Sequence, residues 1–280
     1  MNKIDNYFCL KFPELELNYG LANSDKKNTL TYVCDEKYID IVNKNKNIIG
    51  VITTREFADK FASYCYITTD PVFDFWSLYN LISNKNLINS RSKSYLSETS
   101  EISQFSCIAP YNVEIGNNTV IEPNVTIHSG VKIGDNCIIR SGSVLGFDGF
   151  EHKRTSQGIL SVKHDGIVIV KDRVEIGSLN SIAKGFSWQD TVIENDCKLD
   201  SLVHIAHASV IGERCFITAS VEISGSVRIG HDCWIGPGAK IINGVSIGNS
   251  TFVGIGAVVT KSFASNLTIA GYPAKILSKL

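Results

Sequence analysis

A six-residue period in the apolar positions dominates the second half of the chain. Every sixth residue over 193–259 is a branched aliphatic, and shorter runs over 115–145 and 170–182 behave in the same way. This period fits neither an α-helix, at about 3.6 residues per turn, nor a coiled-coil heptad. It predicts a β-solenoid of hexapeptide repeats, in which three short strands make a coil of about 18 residues.

The period also predicts what fills the solenoid. Two residues before each aliphatic of the long run stands a smaller residue, so each strand offers one small and one large inward side chain. Cysteine takes this small position at Cys137, Cys197, Cys215 and Cys233, and no Cys-x-x-Cys pair occurs. We therefore expect packed core thiols rather than metal ligands or redox pairs. Glycine often follows the aliphatic, as at Gly212, and is expected to supply turn conformations.

The first hundred residues lack the period and alternate between strand-like and helix-like segments. Strands are predicted over 30–35, 48–54 and 65–69, and helices over 36–45, 55–64 and 70–82. Asp70-Pro71 suits the start of the last helix. We predict three parts, which are a small α/β domain with its linker over 1–105, the solenoid over 106–262 and a short C-terminal tail over 263–280.

Two irregularities interrupt the solenoid pattern. Residues 146–166 are polar and cannot be threaded as coils, and an excursion of this length is usually functional. A smaller slip follows, because Ile182 and Ile193 are 11 positions apart where two repeats would need 12.

Composition excludes some partners. Lys and Arg number 27 against 28 Asp and Glu, and no basic cluster stands out, so a nucleic-acid partner is not expected. No apolar run reaches the roughly 18 residues of a membrane span, and the N-terminus lacks the features of a signal peptide. We expect a cytoplasmic protein.

Polar residues in and after the excursion resemble one family of acyltransferases. GFDGFEHKRTSQG, KHDGIVIVKDRVEIGSLNSIAKG and DTVIENDCKLDSLVHIAHASVIG are similar to the UDP-3-O-(3-hydroxyacyl)glucosamine N-acyltransferases of the lipid A pathway, over about residues 146–225. The resemblance implies a mostly β fold, a left-handed parallel β-helix preceded by a small α/β domain. It also implies a homotrimer with active sites between neighbouring subunits.

The same resemblance implies three catalytic residues. His207 matches the family's general base, a role suited to a side chain that titrates near neutral pH. Gly225 follows 18 residues later, one coil above, where the family places its oxyanion donor. Asp200 matches a family aspartate that orients the imidazole or receives the amine. The alternatives are a surface histidine at a corner, a turn glycine and a solvated carboxylate.

Substrate contacts are implied at two places. The excursion matches the segment that approaches the sugar or acyl chain, and its candidates are Asp148, Phe150, His152 and His164, the two histidines replacing a Tyr and a Gln of the family pattern. A mobile polar loop is the alternative. In the α/β domain, Tyr32 and Tyr38 are six apart, like the two aromatics with which the family sandwiches uracil. The alternative is that one ring packs in the core.

The C-terminal segments GAVVTK and AGYPAK resemble coenzyme A-dependent hexapeptide acetyltransferases instead. Asn243-Gly244 also stands where the lipid A enzyme has a Gly-His pair. This second resemblance implies pantetheine contacts from backbone amides and phosphate contacts from lysines, at Gly254, Gly256, Ala257, Lys261 and Lys275. Each lysine is equally well explained as a solvated terminal residue.

These observations lead to one prediction and two alternatives. The prediction is an enzyme that transfers an acetyl or short 3-hydroxyacyl group from acyl-CoA to the amine of a dTDP- or UDP-linked amino-deoxysugar, for surface glycan assembly. The first alternative is the lipid A pathway enzyme with acyl carrier protein as donor. The second is a non-catalytic scaffold that binds a nucleotide sugar. No metal is expected, because His204 and His207 are three apart and γ-class carbonic anhydrases need five.

Overall fold

The computed structural model describes residues 3–279, which form two compact units. One unit comprises the chain up to residue 90 together with 151–163, and the other comprises 91–150 and the chain from 164 onwards. The predicted boundary at 105/106 differs from this division in two respects. Solenoid strands begin earlier, at Tyr95–Leu96, and part of the excursion makes its contacts with the α/β unit.

The α/β unit contains four parallel strands in the order β1-β2-β3-β4. Its elements are α1 (Lys3–Lys11), β1 (Asn18–Tyr19), β2 (Thr29–Val33), a 3-10 turn (Glu36–Tyr38), α2 (Ile39–Lys44), β3 (Ile48–Thr53), α3 (Arg55–Ala58), β4 (Tyr64–Ile67) and α4 (Pro71–Asn89). All predicted elements are present, but α3 is shorter and α4 longer than predicted, and neither α1 nor β1 is predicted from the sequence. Within residues 3–279, none of the helices combines the length and apolar character that a bilayer crossing requires.

Helix α4 begins at Asp70-Pro71, as predicted. Asp70 is the N-cap, and its Oδ1 accepts the N–H of Phe73 at 2.9 Å. Its Oδ2 accepts the N–H of Ser156 at 2.6 Å, in the tip of a hairpin formed by the excursion. Although burial raises the pKa of Asp70, these backbone donors lower it by more, so the carboxylate is charged at neutral pH. One side chain thus caps the helix and holds the hairpin.

We expect Asp70→Ala to destabilise the α/β unit by about 1–2 kcal/mol, because the N-cap acceptor is lost. Asp70→Asn retains an acceptor oxygen and should lose less than half as much. Chemical denaturation gives the free energies of unfolding, and hydrogen exchange at the Phe73 amide localises the loss. Equal stability of the wild type and the Ala variant would contradict this account of the cap.

The solenoid unit has three sheets, named here faces one, two and three, whose named strands pair in parallel except for the antiparallel final pair of face two. Face one contains β5 (Tyr95–Leu96), β8 (Val113–Ile115), β11 (Val131–Ile133), β16 (Val168–Val170), β19 (Thr191–Ile193), β22 (Val210–Ile211), β25 (Arg228–Ile229) and β28 (Ser246–Ile247). Face two contains β6 (Glu101–Ile102), β9 (Val120–Ile121), β12 (Ile138–Ile139), β17 (Glu175–Ile176), β20 (Lys198–Leu199), β23 (Phe216–Ile217), β26 (Trp234–Ile235), β29 (Phe252–Val253), β31 (Leu267–Ala270) and β32 (Lys275–Lys279). Face three contains β7 (Cys107–Ile108), β10 (Thr126–Ile127), β13 (Val144–Asp148), β18 (Ser181–Lys184), β21 (His204–Ile205), β24 (Glu222–Ile223), β27 (Lys240–Ile241) and β30 (Val258–Val259).

Successive coils stack in an 18-residue register, so equivalent aliphatics lie directly above one another. Ile193 pairs with Ile211, which pairs with Ile229, and all three are buried. The four predicted core cysteines are also buried. The Sγ of Cys197, for example, lies 3.0 Å from the carbonyl oxygen of Gly212. The core thiols are therefore packed in the interior, as predicted. The predicted tail is part of the solenoid, because β31 pairs with β29 and β32 pairs with β31.

The glycine after each aliphatic has a different role from the predicted one. A Cβ added to Gly212 would lie 2.6 Å from the carbonyl carbon of Gly230 in the next coil, so glycine is needed there for close approach between coils. The left-handed conformation falls two positions after the glycine, for example at Arg214 with φ 57° and at Asp232 with φ 58°. Turns of this solenoid thus place non-glycine residues in the αL region, and the repeated glycines lie beside them.

Both irregularities of the repeat occur at one corner, the turn from face three to face one, named here the third corner. The excursion leaves face three after β13 and contains the hairpin β14 (His152–Thr155) and β15 (Gly158–Ser161) before β16 begins face one. The slip lies one coil higher. No face lies between β18 and β19, so the chain from Ile182 to Ile193 covers one repeat and carries extra residues over 185–190.

Candidate functional site

The third corner brings four successive coils together. From the bottom upwards they contribute the two ends of the excursion, the slip over 185–190, the turn over 206–209 and the turn over 224–227. The two lower turns are irregular and the two upper turns follow the repeat. The two regular turns contain the candidate catalytic residues, and the two irregular turns contain side chains that pack around them.

His207 lies at this corner, as predicted from its position two residues after the inward Ile205. Its imidazole is half-buried and packs against Gly225 of the coil above. A Cβ added to Gly225 would lie 2.5 Å from Nε2 and 2.8 Å from Nδ1 of His207, and closer still to Cε1. The N–H of Ser226 donates to the carbonyl oxygen of His207 at 2.8 Å, which fixes the two turns together. Only a glycine leaves room for the ring in this position.

The N–H of Gly225 is available to a ligand. Its neighbours Ser224 and Ser226 both donate within the ladder, and the Gly225 carbonyl oxygen accepts from Gly244 at 3.0 Å. Within residues 3–279, the Gly225 N–H donates to no other backbone group. An imidazole and a backbone N–H one coil apart are therefore juxtaposed, and this pair can remove a proton and stabilise a developing oxyanion.

Two further rings surround the imidazole. Phe186, from the slip, lies edge-on to His207 with ring centroids 5.0 Å apart, and His164, from the end of the excursion, lies 5.9 Å away. His164 and Phe186 also contact each other at 5.3 Å. Gly149 closes the cluster, since a Cβ there would lie 2.9 Å from Nε2 of His164 and 3.2 Å from Cδ2 of His207. Sequence reasoning missed Phe186, although the slip in the repeat marks its turn.

The remaining predicted residues of the solenoid are placed differently. Asp200 lies at the corner between faces two and three, so within one chain it is not at the corner of His207. Asp148 forms an ion pair with Lys184 at 3.0 Å, and Phe150 is 87% exposed. His164 is only 1% exposed, so its ring lies beneath the surface.

The predicted tyrosines both belong to the α/β unit, where they differ in environment. Tyr32 packs against Phe75 and Trp76, with ring centroids 4.9 Å and 5.8 Å away. Burial raises its pKa, and the charge of Lys153 in the hairpin acts in the opposite direction. Tyr38 is 41% exposed. Tyr32 is thus partly buried in an aromatic cluster, and Tyr38 is exposed.

Lys153 and His152 belong to the hairpin of the same unit. The Nζ of Lys153 lies 5.0 Å above the ring of Trp76 and pairs with Glu151. His152 is bonded through Nδ1 to the Ser161 hydroxyl at 2.9 Å, across the hairpin. His152 belongs to the α/β unit and His164 to the solenoid unit.

The backbone amides predicted to contact pantetheine donate within the solenoid. The N–H groups of Gly254, Gly256 and Ala257 already donate to the carbonyl oxygens of Ile269, Pro237 and Gly254, at 2.8, 2.8 and 3.2 Å. These amides have no hydrogen left for a ligand. Lys261 and Lys275 are exposed, and the Nζ of Lys261 lies 5.6 Å over the ring of Phe263. The contacts of these five residues with coenzyme A stay predictions.

Among residues 3–279, no group of three or more histidine, cysteine and acidic side chains is arranged to hold a metal ion.

Comparison with known proteins identifies the repeat. A family model described as bacterial transferase hexapeptide (six repeats) matches residues 112–146 and 190–225. A second model, described as the hexapeptide repeat of succinyl-transferase, matches 226–261. The hexapeptide repeat predicted from the six-residue period is thereby confirmed.

Two relatives illustrate the similarity in sequence. The chain is 49% identical over 90 residues to the UDP-3-O-acylglucosamine N-acyltransferase of Chromohalobacter salexigens, covering 32% of this chain and 26% of the relative. It is 40% identical over 95 residues to the enzyme of the same name from Wolinella succinogenes, covering 34% of this chain and 30% of the relative. The alignments span less than a third of these relatives' own lengths.

Solved structures show the fold. The UDP-N-acetylglucosamine acyltransferase of Campylobacter jejuni aligns with a TM-score of 0.58 at 19% identity, covering 67% of this chain and 73% of that one. The enzyme of that name from Francisella novicida gives 0.55 at 23% identity, covering 67% and 69%. The solenoid unit is a left-handed parallel β-helix, as predicted.

Proposed function

We propose that this chain is an N-acyltransferase that acylates the amine of a nucleotide-linked amino sugar. The observation that carries the proposal is the imidazole of His207, packed beneath Gly225 at an accessible corner of the solenoid. Acyl transfer from a thioester to an amine needs a base and an oxyanion donor at one point, and this corner offers both.

In the proposed reaction, the neutral amine attacks the thioester carbonyl carbon directly. The C–N bond forms, the carbonyl oxygen becomes an oxyanion near the Gly225 N–H, and Nε2 of His207 takes the proton from nitrogen. The tetrahedral intermediate then collapses, the C–S bond breaks, and the proton on His207 returns to the leaving thiolate. The products are an amide and a free thiol, with no acyl-enzyme.

The acceptor suggested first is UDP-3-O-acylglucosamine, because the relatives quoted above carry that name. This favours the alternative from the lipid A pathway, with acyl carrier protein as donor, over the initial prediction of acyl-CoA and an amino-deoxysugar. The reading with acyl-CoA as donor and an amino-deoxysugar as acceptor is supported by the GAVVTK and AGYPAK segments, with Lys261 and Lys275 as phosphate contacts. It is weakened by the internal bonding of the Gly254, Gly256 and Ala257 amides.

We also propose a homotrimer with sites between subunits. Asp200 lies at a different corner from His207, so its proposed contact with the amine or the imidazole requires a neighbouring copy. Light scattering should give three times the chain mass. A monomer that is fully active would remove this role for Asp200.

The test is a matrix of acyl acceptors and donors read by mass spectrometry. UDP-3-O-acylglucosamine and UDP- and dTDP-linked amino-deoxysugars are each combined with 3-hydroxyacyl-acyl carrier protein, acetyl-CoA and 3-hydroxybutyryl-CoA. An acylated product from one pair supports the proposal and identifies the donor. Nucleotide-sugar binding without turnover in any pair would favour the non-catalytic scaffold.

We expect Tyr38→Ala to weaken binding of the nucleotide about fivefold to 150-fold, because base stacking on an aromatic ring contributes roughly 1–3 kcal/mol. The ring is exposed, so the variant should fold as the wild type does. Titration calorimetry with UDP and with dTDP measures the change and shows which base the unit prefers.

Tyr64→Ala is the matched control for this prediction. Tyr64 is another exposed tyrosine of the same unit, in β4, and packs edge-on against Phe12. Its removal should leave nucleotide affinity unchanged. If the two variants bind equally well, Tyr38 is not part of the nucleotide site.

A further inference from the structure

His164 is a buried histidine at the edge of the candidate site. Its ring is 1% exposed, and it lies after the hairpin where the chain returns to the solenoid. A side chain covered to this extent cannot reach a substrate without a change of structure. Its role must therefore be exerted through its neighbours.

Those neighbours enclose the imidazole of His207. His164 and Phe186 approach that ring at 5.9 Å and 5.0 Å between centroids, with interplanar angles of 64° and 65°. They also contact each other at 5.3 Å, so the three rings form a closed triangle. Edge-to-face contacts of this kind are favourable and directional. Gly149 and Gly225 limit the space on two further sides of the imidazole.

We propose that His164 is a positioning residue, which together with Phe186 holds the imidazole of His207 in one orientation beneath Gly225. The inference rests on the proposed function for its effect on catalysis, but not for its effect on the ring. A side chain of histidine rotates about two bonds, and a base must lie within hydrogen-bond reach of its proton. Removing the His164 ring leaves the His207 imidazole free to rotate, whereas another aromatic ring at position 164 still restricts it.

The test compares His164→Ala with His164→Phe. With the Ala variant, kcat should fall about tenfold to hundredfold while KM changes less than twofold, because displacements of about 1 Å have effects of this size. The Phe variant should retain kcat within about threefold of the wild type. If the Phe variant loses as much activity as the Ala variant, His164 acts through its nitrogens. If the Ala variant keeps full kcat, the ring has no positioning role. Either result overturns the proposal.

A second readout does not need activity. Histidine labelled with ¹³C at Cε1 gives one NMR resonance per residue, and loss of a resonance in His207→Asn assigns that of His207. Ring currents from Phe186 and His164 should shift this resonance, and His164→Ala should move it towards the random-coil position while His164→Phe restores the shift. An unmoved resonance in the Ala variant would contradict the proposal. If the wild type acylates nothing but the resonance behaves as expected, the proposed function fails and the positioning role stands.

Ile235→Ala is the control for general loss of stability. Ile235 is fully buried on face two and makes no part of the third corner. Its truncation should lower the midpoint of chemical denaturation without shifting the His207 resonance. A shift of equal size in this control would mean that the resonance reports stability rather than position.

Discussion

Gly225→Ala should abolish most of the acyl transfer while leaving the solenoid folded. The new Cβ would lie 2.5 Å from Nε2 and 2.8 Å from Nδ1 of His207, so the ring has to swing away. The group that it overlaps is a half-buried side chain rather than backbone, and the ring can move towards solvent. We expect kcat to fall about hundredfold or more, since both the base and the oxyanion donor are misplaced. Steady-state turnover and thermal denaturation measure the two effects.

Gly212→Ala separates this effect from strain in the solenoid. A Cβ at Gly212 would lie 2.6 Å from the carbonyl carbon of Gly230 and 2.7 Å from the nitrogen of His231, so it meets backbone that cannot move aside. This variant should be the less stable of the two and the more active at a temperature where both are folded. If Gly212→Ala loses more activity than Gly225→Ala, disruption of the coils explains the losses and the geometry of the imidazole does not.

The architecture of the solenoid follows from the spacing of its apolar residues. A strand that places one aliphatic inward every six residues leaves little freedom in register, because a slip exposes Ile193, Ile211 and every equivalent residue at once. The same argument placed His207 at a corner, two positions after the inward Ile205. The start of α4 was predictable because Asp70-Pro71 specifies a cap by local chemistry alone.

Long-range contacts were not predictable in this way. Asp70 accepts from Ser156, 86 residues away, and no periodicity relates the two segments. The sequence therefore predicts that residues 151–163 belong to the solenoid, whereas in the structure they belong to the α/β unit. The spacing of apolar residues also does not predict the handedness of the solenoid or the role of the repeated glycines. The six-residue spacing of apolar residues indicates which side chains are buried, but it does not indicate how closely the coils approach one another.

The slip shows what an irregularity can contribute. The irregular spacing predicts an unusual turn near residues 185–190, but the sequence does not indicate which side chain of that turn contacts His207. The structure brings Phe186 to His207 and buries His164 beside both. Interruptions that fall at one corner on adjacent coils can be recognised from sequence once the faces have been assigned. Applied here, that rule would have pointed to the third corner.

His207→Asn should have the largest effect of any single substitution. Asparagine retains a polar side chain of similar reach but cannot accept and return a proton, so we expect kcat to fall about 10²- to 10⁴-fold with little change in KM. Binding of the nucleotide should be unaffected, because Tyr32 and Tyr38 belong to the other unit. The measurement is steady-state turnover with the donor and acceptor pair identified by mass spectrometry.

His231→Asn is the matched control. His231 is an exposed histidine of the solenoid, bonded to Asp232 at 2.6 Å between faces one and two. Its replacement should leave kcat within about twofold, since surface substitutions away from special features have small effects. Equal losses in both variants would indicate a general sensitivity to removal of histidine rather than a base at position 207.

Single-turnover kinetics tests the central claim most directly, because it isolates the chemical step from binding and product release. Wild type and His207→Asn are each mixed, in excess, with the donor and acceptor pair, quenched at intervals and analysed by mass spectrometry for the amide. The account predicts that the first-order rate constant for amide formation falls at least about a hundredfold in the variant. An unchanged rate constant would contradict it, since the imidazole beneath Gly225 would then take no part in the transfer.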